Sequence, residues 1–150
     1  MGVSGVRAGP SGFLGEKVGP SGFVLFEPWD ILRGRDVFVE SDVLENELDS
    51  ADLAHWAPNC ATFSRAREIP IPKVKNPPLP LRSDEFPEGI PSELSRMSKK
   101  ARLRLEKDTC MAVDAAENCI KRHKAGKAFS LEHPGRSIAL ELPAWKRLRN

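Results

Sequence analysis

The chain has 150 residues, 40% of them apolar, with a formal net charge of +2. That length suits one domain able to bury a core, and no run of about 18 apolar residues exists to form a transmembrane helix. The three cysteines, Cys60, Cys110 and Cys119, form no Cys-x-x-Cys pair, which argues against a zinc site or a disulfide scaffold and for a reducing, intracellular compartment, cytoplasmic or nuclear.

The N-terminus has no basic region followed by an apolar core, so no signal peptide is expected. Residues 1–22 carry an echo, Gly9-Pro10-Ser11-Gly12-Phe13 and Gly19-Pro20-Ser21-Gly22-Phe23. Two copies are too few for a repeat architecture, and this Gly-rich segment is expected to be poorly ordered. An α/β domain is expected over 23–150. Phe23 to Phe26 read as a short strand that exits through Glu27-Pro28-Trp29-Asp30. Val37-Phe38-Val39 is a weaker strand candidate, and Asp42 to Ser50 a short helix or turn. Leu53 to Ala57 is an apolar run that reads as a buried strand. Residues 68–91 hold seven prolines in 24 positions, so regular structure is not expected there.

Pro91 or Ser92 then opens a helix. Leu94, Met97, Ala101, Leu105, Ala112, Ala116, Cys119, Ile120 and His123 recur at helical spacing, Glu117 and Lys121 make an i,i+4 pair, and Gly126 stops it. Ala128 to Leu131 form another strand. A last helix starts near Ser137 with Ile138, Leu142, Trp145 and Leu148 inward, and Pro143 is its candidate break. Strands alternating with helices predict an α/β fold with a mostly parallel sheet containing the strands that end at Glu27, Ala57 and Leu131.

Charge is uneven: residues 1–60 carry net −6, residues 61–107 net +5 and residues 108–150 net +3. A polyanion such as nucleic acid could lie on the basic part, but for the charge alone a solvated helix face and loop is the favoured reading. Cys60 follows one strand in Pro58-Asn59-Cys60-Ala61-Thr62-Phe63-Ser64, and Glu132 ends another in Glu132-His133-Pro134. A thiol and a carboxylate at strand ends are where a doubly wound fold presents reactive groups. Taken singly, Cys60 reads as a small buried residue and Glu132 as a solvated turn residue. Cys110 and Cys119 read as helix residues, His55 as a strand residue, and Trp29 and Trp145 as core.

At these motifs the chain resembles the cytosine-5 DNA methyltransferases and a divergent branch of such domains in mobile-element proteins. The family's loop reads Pro-Pro-Cys-x-x-Phe-Ser, and its second catalytic strand ends in Glu-Asn-Val or Glu-Asn-Pro. Here Asn59 replaces the second proline and His133 the asparagine. The family's first motif, a strand followed by Phe-x-Gly-x-Gly, has no clear match; Gly9 to Gly15 are its candidate remnant. No Gln-x-Arg-x-Arg motif or target-recognition region is found.

The resemblance implies a partial Rossmann-like methyltransferase fold that uses S-adenosylmethionine to methylate carbon 5 of cytosine in DNA. It implies Cys60 as nucleophile and Glu132 as acid, with Glu27, Asp42 and Pro58 at the cofactor. Ser64, Arg65, Arg67, Lys73 and Lys75, in or beside a basic loop at 65–91 that also carries Arg82, would meet nucleic acid. The alternative is a non-catalytic module, nucleic-acid-binding or decayed, that keeps the fold. A zinc-dependent base deaminase needs a Cys-x-x-Cys that is absent.

Overall fold

The computed structural model describes residues 4–8, 24–25, 41–69 and 80–150. Glu27, Lys73, Lys75, Trp29 and the strand expected at 37–39 lie outside the described residues. Four strands form one sheet: β1 (Ser4–Ala8), β2 (Val24–Leu25), β3 (Leu53–Trp56) and β4 (Ala128–Leu131), in the order β2-β1-β3-β4. Every neighbouring pair is parallel. The helices are α1 (Ser41–Ser50), α2 (Pro91–Arg96), α3 (Lys99–Lys124) and α4 (Pro143–Arg149), with 3-10 turns at Arg65–Glu68 and Ile138–Glu141. The expected α/β fold with a parallel sheet is therefore observed. Among the described residues no helix is long and apolar enough to cross a membrane.

β1 is a difference from the sequence reading, which places no strand before Phe23. Ser-Gly-Val-Arg-Ala has little strand signal of its own. It is held by pairing along its length with β3, from Gly5 against Leu53 to Ala8 against Trp56. β3 differs in a second way. Ala54 and Trp56 are buried while Leu53 is exposed and His55 half-buried. A strand's side chains alternate between faces, so an apolar run need not be buried on both.

The expected single helix from 91 is interrupted. Met97 is extended at φ −72°, ψ 144°, and the Ser98 hydroxyl accepts the Ala101 N–H at 3.3 Å, restarting the helix as α3. At its far end the Lys127 N–H donates to the Arg122 carbonyl (2.9 Å) and the Gly126 N–H to the His123 carbonyl (3.0 Å). Gly126 has φ +70°. This is a Schellman stop, and it explains the glycine. Glu117 accepts from Arg147, and Lys121 faces Glu45 at 3.9 Å. Ser137 caps the 3-10 turn through Ala139 N–H (3.1 Å), and Pro143 opens α4.

The chain divides into two compact units, Met1–Pro58 with Asn118–Glu132, and Asn59–Glu117 with His133–Asn150. In the first, the sheet and α1 bury Leu44, Leu48, Ala51, Ala54 and Trp56, with Cys119 from α3. In the second, Phe63, Leu105, Ala112, Ala116, Ile138, Leu142 and Trp145 are buried. Burial of a large apolar side chain such as Phe63 or Leu105 contributes roughly 1.5–3 kcal/mol.

Candidate functional site

In the sheet unit, β3 and β4 run parallel with Trp56 opposite Leu131. The Glu132 N–H continues the ladder, donating to the Trp56 carbonyl at 2.8 Å. The carboxyl ends of the two motif-bearing strands therefore lie side by side. The Glu132 carboxylate is largely exposed and lies 3.7 Å from His55 Nε2. His55 Nδ1 meets the Ser130 hydroxyl at 2.7 Å. His55, read from sequence as a plain strand residue, is thus a neighbour of the candidate acid. Its signal was register: in a parallel pair, His55 opposite Ser130 points to the same face as Glu132 two residues on. Asp42 stands exposed in the first turn of α1, and Pro58 is half-buried after β3.

In the other unit, the Cys60 loop is a bonded turn. The Phe63 N–H donates to the Cys60 carbonyl at 3.0 Å. The Asn59 side-chain oxygen accepts the Ala61 N–H at 3.1 Å, an Asx turn across Cys60. Cys60 itself is half-buried. Asn59 Nδ2 donates to Asp108 Oδ1 at 2.9 Å, and the Thr62 hydroxyl to Asp108 Oδ2 at 2.8 Å. Asp108 is 3% exposed.

Arg82 completes this network. Its Nη1 donates to the Pro87 carbonyl (2.7 Å) and the Thr109 hydroxyl (2.9 Å), and its Nη2 to Thr62 Oγ1 (3.1 Å) and the Leu105 carbonyl (2.9 Å). The guanidinium stacks 3.8 Å from the centre of the Phe63 ring. Burial pushes Arg82 down to about 10, against the opposing pull of Asp108 and Glu88. The sequence places Arg82 among the loop cations expected to hold phosphates. At 1% exposure it does not do so; it is an interior residue.

His133 packs edge-on against Phe63 and Trp145, with ring centres at 6.0 and 5.1 Å. Both its ring nitrogens are buried without a hydrogen-bond partner among the described residues. That burial lowers its pKa to about 4. Trp145 donates to the Ala112 carbonyl at 2.8 Å, as expected of a core residue.

Among the expected nucleic-acid contacts, Ser64 and Arg65 make bonds within the protein. Ser64 accepts the Ala66 N–H at 3.2 Å and caps the 3-10 turn that contains Arg67. Arg65 donates to the Arg136 carbonyl at 2.9 Å and pairs with Glu68 at 3.1 Å and with Asp84. These acceptors compete with any phosphate, and the Asp84 hydrogen bond is the main reason the Arg65 pKa is raised. Cys110 is exposed on α3, and Cys119 is buried in the core, its thiol pushed up to about 12 by that burial.

Asp108 is the residue that motif reading missed. Its signal was present: it follows Leu105 by three and precedes Ala112 by four, on the apolar stripe of α3, where a carboxylate needs a buried partner. No family model, curated protein or solved structure matches the chain.

Proposed function

We propose that this chain is a cytosine-5 methyltransferase-like domain of doubly wound, Rossmann-like type, acting on cytosine in DNA with S-adenosylmethionine. The observation that carries the reading is the parallel, in-register pairing of β3 and β4, because these two strands lead into the Cys60 loop and into Glu132. The strand order β2-β1-β3-β4 adds support. It reverses direction between β1 and β3, and doubly wound sheets bind ligands at the carboxyl ends beside such a reversal. The Gly9–Gly15 segment follows β1 and Pro58 follows β3. Asp42 offers an exposed carboxylate and Pro58 a half-buried ring, which fits hydrogen-bond acceptance from, and apolar contact with, an adenosyl group. Glu27 would take the ribose hydroxyls by the same resemblance.

The residues divide the chemistry as follows. The Cys60 thiolate adds to carbon 6 of cytosine, and the ring electrons move toward carbon 5. Glu132 donates a hydrogen bond or proton at the ring nitrogen, which makes that addition easier. S-adenosylmethionine would supply the electrophilic methyl group that carbon 5 takes up. Water or hydroxide then takes the carbon 5 proton, the electron pair re-forms the carbon 5–carbon 6 double bond and expels the Cys60 thiolate, and any proton lent to the ring nitrogen goes back to Glu132. The base leaves the duplex first, because its faces are stacked.

Calorimetry with S-adenosylmethionine and methyl transfer to cytosine-containing DNA test this reading. Cys60→Ser abolishes transfer, since a hydroxyl is a far weaker nucleophile. Glu132→Gln slows transfer and leaves cofactor affinity nearly intact, whereas Glu27→Ala weakens the cofactor. A chain that binds no cofactor and transfers no methyl group would refute the proposal in favour of a non-catalytic module.

A further inference from the structure

Cys60 is bracketed by two side chains that converge on one carboxylate. Asn59, just before it, gives its amide to Asp108 Oδ1, and Thr62, two residues after it, gives its hydroxyl to Asp108 Oδ2. The Thr62 hydroxyl has one proton, which goes to Asp108, so its lone pairs are free to accept from Arg82 Nη2. The polarity runs from Arg82 through Thr62 to Asp108 and cannot be reversed, because a guanidinium only donates and a carboxylate only accepts. Both anchors are tied to one helix. Asp108 sits within α3, and Arg82 is bound to the Leu105 carbonyl and the Thr109 hydroxyl of the same helix.

We propose that Asp108 and Arg82 are positioning residues that grip Asn59 and Thr62 from α3, and so fix how the Cys60 thiol is presented before any substrate arrives. Packing alone does not require this set. Apolar side chains of similar volume fill an interior as stably as a buried ion pair, often more so. What the carboxylate adds is direction: its two oxygens meet two different loop residues, one on each side of the thiol. A loop held at both flanks keeps its shape without substrate, which lowers the cost of ordering it during reaction. The inference rests on the proposed function only in treating Cys60 as the working group; the grip on the loop is independent of cofactor or DNA.

The three cysteines make the test self-controlled, since Cys110 is exposed, Cys60 half-buried and Cys119 buried. Iodoacetamide labelling of the full chain near neutral pH, resolved by site with mass spectrometry, is expected to rank them in that order. Asp108→Asn and Thr62→Val should each speed Cys60 labelling by about tenfold, the factor expected when a buried charge-assisted hydrogen bond is lost. Cys110 and Cys119 should keep their rates. A Cys60 rate that falls or stays within about twofold of the parent would overturn the proposal, being less than one such bond is worth. So would a parallel rise at Cys119, which signals general opening rather than release of the loop. Labelling as expected in a chain without methyl transfer sinks the catalytic reading and leaves this one standing. Methyl transfer with unchanged labelling does the reverse.

Discussion

Arg122 and Arg82 are both buried, at 5% and 1% exposure, yet they face different kinds of neighbour. Arg122 fans onto three main-chain carbonyls, Leu48 at 2.7 Å, Ala51 at 3.1 Å and Ala128 at 3.0 Å. It closes the C-terminal end of α1 and ties it to the start of β4. Any sequence with that backbone would offer the same acceptors. Arg82 instead divides its donors between two carbonyls and two hydroxyls, and through Thr62 it reaches the Cys60 loop. A buried cation on backbone carbonyls holds elements together. One on side chains also fixes where particular side chains point.

The strongest attack on that contrast is Arg82→Met. It leaves Asp108 buried without its cation, and the expected loss is about 3–5 kcal/mol in urea unfolding, with faster Cys60 labelling. A loss no larger than that of Arg122→Met would erase the distinction.

The next effect is pH dependence on the Arg82 side, from His133. Burial lowers its folded pKa to about 4, below its ordinary 6.5. The unfolded chain then binds more protons between those values, so the stabilising contribution is complete above pH 6.5 and is lost as pH falls toward 4. The loss is on the order of 3 kcal/mol at most. Melting temperatures from pH 7.5 to pH 4.5, taken in the parent and in His133→Phe, check this, and the variant should show the flatter profile. Equal profiles would mean that the burial of His133 does not govern acid sensitivity.

Arg122→Met sharpens the comparison from the other side. Several carbonyls lose a charged donor, costing about 1.5–3 kcal/mol, while Cys60 labelling stays at the parent rate. A change in that rate would show that Arg122 also acts on the loop. The smallest effect is Gly126→Ala. An added Cβ meets nothing within 4 Å, so only the φ of +70° resists it. The cost is about 1 kcal/mol in thermal unfolding, and a larger one would mean a contact beyond backbone strain.

Residues whose roles are local were legible in the chain. Ala128–Leu131 is a strand as expected, the Leu53 run ends one residue earlier than expected, and Gly126 stops α3. Pro143 divides the last helical region into a 3-10 turn and α4. Apolar periodicity, a glycine at positive φ and a ring without an N–H act within a few residues, so they can be read without knowing the fold. The helix break at Met97–Ser98 is also local, but a nine-residue apolar pattern running through it masked the Ser98 cap.

What tertiary structure decided was every pairing across long stretches of chain. Ser4–Ala8 is a strand for whose backbone β3 and β2 supply partners. Arg65 and Arg82 lie near one another in sequence and carry the same charge. One pairs at the surface with Asp84, and the other is enclosed against Phe63 and bonded to Thr62, which in turn meets Asp108. His55 meets Glu132 only because β3 and β4 are in register. Position at the ends of two strands, and the resemblance of the two motifs to a known family, mark Cys60 and Glu132 as candidates. Whether a cation is solvated or buried, and which carboxylate grips the thiol's loop, depends on which distant segment folds against it, and no local pattern encodes that.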